Sequence, residues 1–80
     1  MPRYYFDLHD DDGFSIDEEG LELSGLPSVE AEAAKALADM ARDAVAAEGV
    51  SRRNMAIEVR GDSGPVMQVR FSFEVQALKQ

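Results

Sequence analysis

From Arg3 to His9 apolar and polar positions alternate strictly, with Tyr4, Phe6 and Leu8 on one side and Arg3, Tyr5, Asp7 and His9 on the other. That two-residue period predicts a strand buried on one face. Asp10-Asp11-Asp12-Gly13 then supplies turn residues, and Phe14, Ile16, Leu21 and Leu23 resume an apolar face interrupted by Asp17-Glu18-Glu19-Gly20. The expected element is a hairpin whose second arm is broken or bulged.

At Val29 the period lengthens. Val29, Ala33, Leu37, Met40, Ala41, Ala44 and Val45 recur at steps of three and four, with Glu32, Lys35, Asp39, Arg42 and Asp43 mostly opposite. The spacing predicts a helix over 28–48, capped by Ser28, with Glu30 near its positive end and Gly49 as the left-handed residue that stops it. Alternation returns at Met55, Ile57 and Val59, turns at Gly61-Asp62-Ser63-Gly64, and continues through Met67, Val69, Phe71, Phe73 and Val75. This second hairpin completes the order ββαββ: one α+β domain over residues 1–80, two-layered, with an antiparallel sheet and one long helix packed on one face.

Two lengths bear on assembly. Strands about 4.8 Å apart make a four-stranded sheet wider than a helix roughly 10 Å across, so one helix leaves apolar strand surface uncovered. A last strand over Val66–Val75 also outreaches Met55–Arg60 by four residues, or about 13 Å of backbone, an unpaired edge that a second copy of the chain would satisfy. The expected core sets Met55, Ile57, Val59, Val69, Phe71 and Phe73 against Leu37, Met40 and Ala41. Tyr5, Phe71, Phe73 and Val75 are the interface candidates, Tyr5 because a large aromatic falls on the polar side of its strand.

Composition narrows the function. Apolar residues make up 45% of the chain, enough for a small core in 80 residues. No cysteine is present, which removes disulfides, thiolate nucleophiles and cysteine-based zinc sites. The N-terminus lacks the apolar run of a secretory signal and no stretch is long enough for a membrane span, so a cytoplasmic protein is expected. The net charge of −8 is concentrated: residues 1–25 hold eight acids against Arg3 alone, whereas residues 26–80 hold eight acids against seven bases. Such a field repels phosphate backbones and anionic lipid, which argues against nucleic-acid and membrane-surface binding and leaves cations or a basic protein as electrostatically suited partners.

The acidic segment is the one place with metal-ligand character. Placing Gly13 sixth in a helix-loop-helix calcium loop puts Asp10, Asp12 and Glu19 at ligating positions, but Leu8 and Ile16 then occupy two others and the flanks read as strands. A solvated hairpin tip is the simpler reading, so no metal or other cofactor is expected. His9, the sole histidine, has no partner set in sequence, and pairs such as Asp17 with Glu19 lack the cleft that carboxylate catalysis requires. Arg52, Arg53 and Lys79 form only a weak basic feature. The expectation is a non-enzymatic protein.

Tyr5-Phe6-Asp7-Leu8-His9-Asp10 following Tyr4, then Asp17-Glu18-Glu19-Gly20-Leu21-Glu22-Leu23, then an alanine-rich helix with Leu37 and Ala41-Arg42-Asp43, resembles a family of short bacterial proteins of unknown function that open with this Tyr-Phe-Asp-Leu-His-Asp signature. In that family the Leu-Glu-Leu segment runs more directly into the helix, whereas here Ser24-Gly25-Leu26-Pro27 intervenes. The resemblance implies no activity, cofactor or catalytic residue. The residues thus point to a homo-oligomerising or protein-interaction module, expected to be a homodimer, with a divalent-cation-binding regulator using the 9–19 hairpin as the alternative.

Overall fold

A computed structural model describes residues 1–79. Its elements are β1 (Arg3–Asp10), β2 (Gly13–Ser15), β3 (Leu21–Glu22), α1 (Leu26–Ala46), β4 (Arg52–Gly61) and β5 (Gly64–Glu74). The sheet is antiparallel in the order β2-β1-β4-β5, with β3 also paired to β1. The α+β architecture with a helix against an antiparallel sheet therefore stands. The broken arm is real: β2 pairs the end of β1 at Leu8↔Ser15 and β3 pairs its start at Tyr4↔Leu21, leaving a gap on the same side of β1.

The helix starts earlier than its apolar pattern suggests. Gly25 is the N-cap with no side-chain cap, and Pro27 occupies the first turn, where its missing N–H costs nothing and its fixed φ favours helix entry. Ser28 lies inside that turn with its Oγ 3.2 Å from Ser24 Oγ, and Glu30 falls beyond it. Leu26 and Pro27 thus belong to the helix. Its far end is Ala46, and Gly49, at φ 84, turns the chain after the helix rather than capping it.

Val29, Ala33, Leu37 and Ala41 of α1 bury against Met55, Ile57 and Val59 of β4. The flanking strands contribute only half-buried side chains to that face: Tyr4, Phe6 and Leu8 from β1 and Met67, Val69 and Phe71 from β5. Phe73 and Met40 are half-buried as well. One helix covers the middle strand fully and its neighbours in part, as its width dictates. Phe14, Ile16 and Leu21 are exposed rather than part of the core.

The expected overhang does not exist. β4 begins at Arg52 and pairs β5 from Arg52↔Glu74 to Gly61↔Gly64, interrupted by a bulge at Val59/Arg60. Arg52, Arg53 and Asn54 lack apolar alternation yet are held extended by partners: Arg52 lies 3.2 Å from Glu74, Asn54 Oδ1 accepts from Ser72 Oγ at 3.0 Å, and Asn54 N donates to Asp11 Oδ2 at 3.0 Å. What remains open is the outer edge of β5, which ends the sheet order.

The molecule is elongated. Its radius of gyration is 14.7 Å, against about 11.6 Å for a compact domain of this length.

Candidate functional site

The gap between β2 and β3 is filled by one side chain. Asp17 Oδ2 accepts from Phe6 N at 3.1 Å, supplying the ladder hydrogen bond that a continuous strand would have given β1, while Asp17 Oδ1 accepts from the amides of Glu19 and Gly20 at 3.1 and 3.2 Å. Asp17 N in turn donates to Asp7 Oδ1 at 2.9 Å. Asp7 is 6% exposed, although its strand position looks outward in the sequence. The cover comes from Arg60, whose Nε donates to Asp7 Oδ2 at 2.8 Å, with a terminal nitrogen 2.8 Å from the Asp17 carbonyl oxygen. Tyr5 completes the brace, its ring 4.6 Å beneath the guanidinium carbon in cation–π contact.

Burial pushes the Asp7 carboxyl up, but the Arg60 hydrogen bond, the Asp17 amide and the Arg60 charge together hold it below its ordinary 3.8. Asp17 follows the same logic: burial raises it, and the amides of Phe6, Gly20 and Glu19, aided by Arg60, bring it below 3.8. Both carboxylates are engaged on both oxygens, so the cluster ties the acidic loop to the sheet. Gly20 is part of the same fit. At φ +70, a Cβ there would stand 2.8 Å from the Tyr4 carbonyl oxygen and 2.9 Å from the Tyr5 ring. Gly20→Ala should therefore cost about 1–3 kcal/mol in urea unfolding, and a loss within a few tenths would mean that the loop does not need this approach.

The hairpin tip uses its acids differently. Asp10 Oδ1 accepts from Asp12 N at 2.8 Å, Asp11 holds Asn54, and Asp12 lies 3.6 Å from Arg53. His9 stacks on Phe14 with ring centroids 5.3 Å apart. The strand–turn–strand geometry replaces the calcium-loop register, because Gly13 pairs with Asp10 across a two-residue turn. Glu19 is at the other end of β1, next to Gly20 and the Tyr4 backbone, about 20 Å from Asp10 at 3.3 Å per residue. Asp10, Asp12 and Glu19 are thus not brought together, and among the described residues no group of three potential ligands converges. Ca²⁺, Mg²⁺ or Zn²⁺ at micromolar level should raise the melting temperature no more than NaCl of matched ionic strength; a clear excess would reveal a metal site.

Surface depressions are shallow. One of 190 Å³ lined by His9, Asn54, Ala56 and Arg70 falls below the roughly 300–1,000 Å³ of small-molecule sites, and one of 340 Å³ lined by Arg52, Asn54, Ser72, Phe73 and Glu74 lies at the bottom of that range. No helix among the described residues is long and apolar enough to cross a membrane.

The other interface candidates lie along the open edge. Phe71 and Phe73 are half-buried on the helix side of β5, and Val75, just past the strand, is 56% exposed. Tyr5 is not with them: it is held in the Arg60 brace two strands away. Val75 N donates to Ser51 O at 2.8 Å, and antiparallel alternation then sets which groups are free. Phe73, Phe71, Val69 and Met67 direct their backbone groups to β4, whereas the N–H and C=O of Gln68, Arg70, Ser72 and Glu74 point outward. β5 has little of the usual edge protection, with Pro65 at its start, no lysine and no charge on its inward face.

The chain belongs to the family described as a domain of unknown function (DUF6894), whose model matches residues 3–72. No curated protein and no solved structure matches it.

Proposed function

We propose that this DUF6894 domain is a non-enzymatic protein-interaction module of the bacterial cytoplasm that acts as a homodimer, associating through the free edge of its sheet. The observation that carries this reading is β5: 11 residues long, terminal in the sheet, and lined on its inner face by half-covered Met67, Val69, Phe71 and Phe73. Surface area points the same way. The chain exposes 5779 Å², about 1,000 Å² more than the roughly 4,800 Å² of a compact monomer of its mass. A standard interface takes about 800 Å² from each partner.

The titratable groups support a binding role over catalysis. Asp7, Asp17 and Arg60, the groups with displaced protonation, are consumed by one another and by backbone amides. The acidic face around Asp10–Asp12 remains available for a basic protein partner of the dimer.

Sedimentation equilibrium tests the reading directly. The expected mass at high micromolar concentration is twice 8.8 kDa, with a melting temperature that rises with protein concentration. A mass that stays at 8.8 kDa would rule it out.

A further inference from the structure

Resting on the homodimer reading, we propose that two copies pair β5 with β5, antiparallel, about a two-fold axis through Ser72, joining their sheets into one. The register follows from charge, from the outward backbone groups and from three exposed apolar residues.

An axis perpendicular to the sheet keeps both helices on the same face and sets residues equidistant from the axis opposite each other. From Gln68 to Glu74, beyond the bulge, outward backbone groups occur on even-numbered residues, so an axis through a residue matches even with even, as an antiparallel ladder requires. Centring on Arg70 would set that arginine against its own copy, and like charges directly opposite are unfavourable. Centring on Val69 leaves Arg70 facing Gln68, and centring on Phe71 leaves it facing Ser72. Only the axis at Ser72 sets Arg70 opposite Glu74 of the second copy, twice over by symmetry. Among the described residues Arg70 enters no ion pair of its own chain.

The same register accounts for the exposed apolar residues of the C-terminal half. Val75, Val66 and Leu78 are 56%, 41% and 80% exposed. With Ser72 on the axis, Val75 meets Val69 on the helix face and Phe71 meets Phe73, while Leu78 reaches the stretch of β5 beside the bulge, where Val66 turns toward Gly61. Residues 75–79, which have no regular structure in the single chain, extend β5 along the second copy. No choice for the tail is needed beyond the register that the charges select.

The chain lacks cysteine, so Ser72→Cys gives a direct reading. In a hydrogen-bonded antiparallel pair the Cα atoms are about 5.5 Å apart, within disulfide reach. Mild oxidation should convert Ser72→Cys to a covalent dimer in high yield, whereas Gln68→Cys, whose copies stand eight residues out of register, should stay uncrosslinked. If sedimentation shows a dimer but Ser72→Cys fails to crosslink, or Gln68→Cys crosslinks instead, the Ser72 register is wrong and the homodimer reading survives. If the wild type is monomeric, both fall. Two surface variants keep the test independent of folding: Arg70→Glu should weaken dimerisation about tenfold or more by placing like charges opposite twice, with Arg52→Glu/Arg70→Glu/Glu74→Arg, which also keeps opposite charges at the Arg52–Glu74 contact, restoring it. Leu78→Asp, which alters a residue exposed in the monomer, should weaken it while leaving the monomer folded. Unchanged affinity in both Arg70→Glu and Leu78→Asp overturns the register.

Discussion

Ile57→Ala should destabilise the protein by about 2–5 kcal/mol, as truncations of buried isoleucines do. Ile57 is 2% exposed at the middle of β4, sits between Leu8 of β1 and Val69 of β5 in register, and shares one buried cluster with the helix residues Leu37 and Ala41. β4 is the one strand with a neighbour on both sides along its length and the helix above it, so the void cannot be filled by a shift of solvent-facing groups. Domains of this size hold about 4–12 kcal/mol in total, and the loss would leave a substantial unfolded fraction at room temperature. Phe71→Ala removes a larger side chain from an outer strand that is only half covered, and at concentrations where the chain is monomeric it should cost less than Ile57→Ala. Urea unfolding of the two variants at low micromolar concentration measures the order. If Phe71→Ala proves the more damaging, the core is centred on β5 and the covering role assigned to the helix is misplaced.

That ordering was only partly legible in the sequence. Alternation identified which side chains of β4 and β5 share a face, because a two-residue period in a strand has one geometric meaning. It could not say which strand lies centrally, since Ile57 and Phe71 occupy equivalent positions in their patterns; depth is set by strand order, and order is tertiary. The start of β4 was hidden for a related reason. Arg52, Arg53 and Asn54 have no apolar rhythm, and the stretch is extended because Glu74 satisfies Arg52 and Ser72 and Asp11 satisfy Asn54, partners 18 to 43 residues away. The break in the second arm was readable from Asp17-Glu18-Glu19-Gly20, but the use of Asp17 was not. An acid in a polar run reads as solvated, and only the meeting of β1 with β4 brings Arg60 over Asp7, 53 residues apart. The free edge was expected for a reason that proved false, an overhang, and exists for another, the terminal place of β5 in the sheet.

Removing the Asp7 carboxylate should cost about 2–3 kcal/mol at neutral pH and take part of the acid sensitivity of the fold with it. Asp7 accepts two charge-assisted contacts from Arg60 and one hydrogen bond from the Asp17 amide, and hydrogen bonds to charged groups contribute about 1.5–3 kcal/mol. The lower part of the range for breaking a buried pair applies, because the Arg60 side chain is 36% exposed and its charge can return to water. The sign of the pH effect follows from proton linkage. Asp7 and Asp17 have carboxyls held below 3.8 in the folded state, so just below that value the unfolded chain binds more protons than the folded one, and stability increases with pH. The contribution is fully present above the ordinary carboxyl range and is lost as pH falls through 3.8 and then through the lower folded values. In the wild type, unfolding free energy should therefore be level from pH 7 to about 5 and drop steeply from pH 4 downward. Asp7→Ala should start lower and drop less, since one of the two displaced carboxyls is gone and the amide of Asp17 has lost its acceptor. Equilibrium urea unfolding of both proteins between pH 7 and pH 3 gives the two curves. Parallel curves, offset but equally steep below pH 4, would show that Asp7 is not the group whose ionisation secures the acidic loop to the sheet.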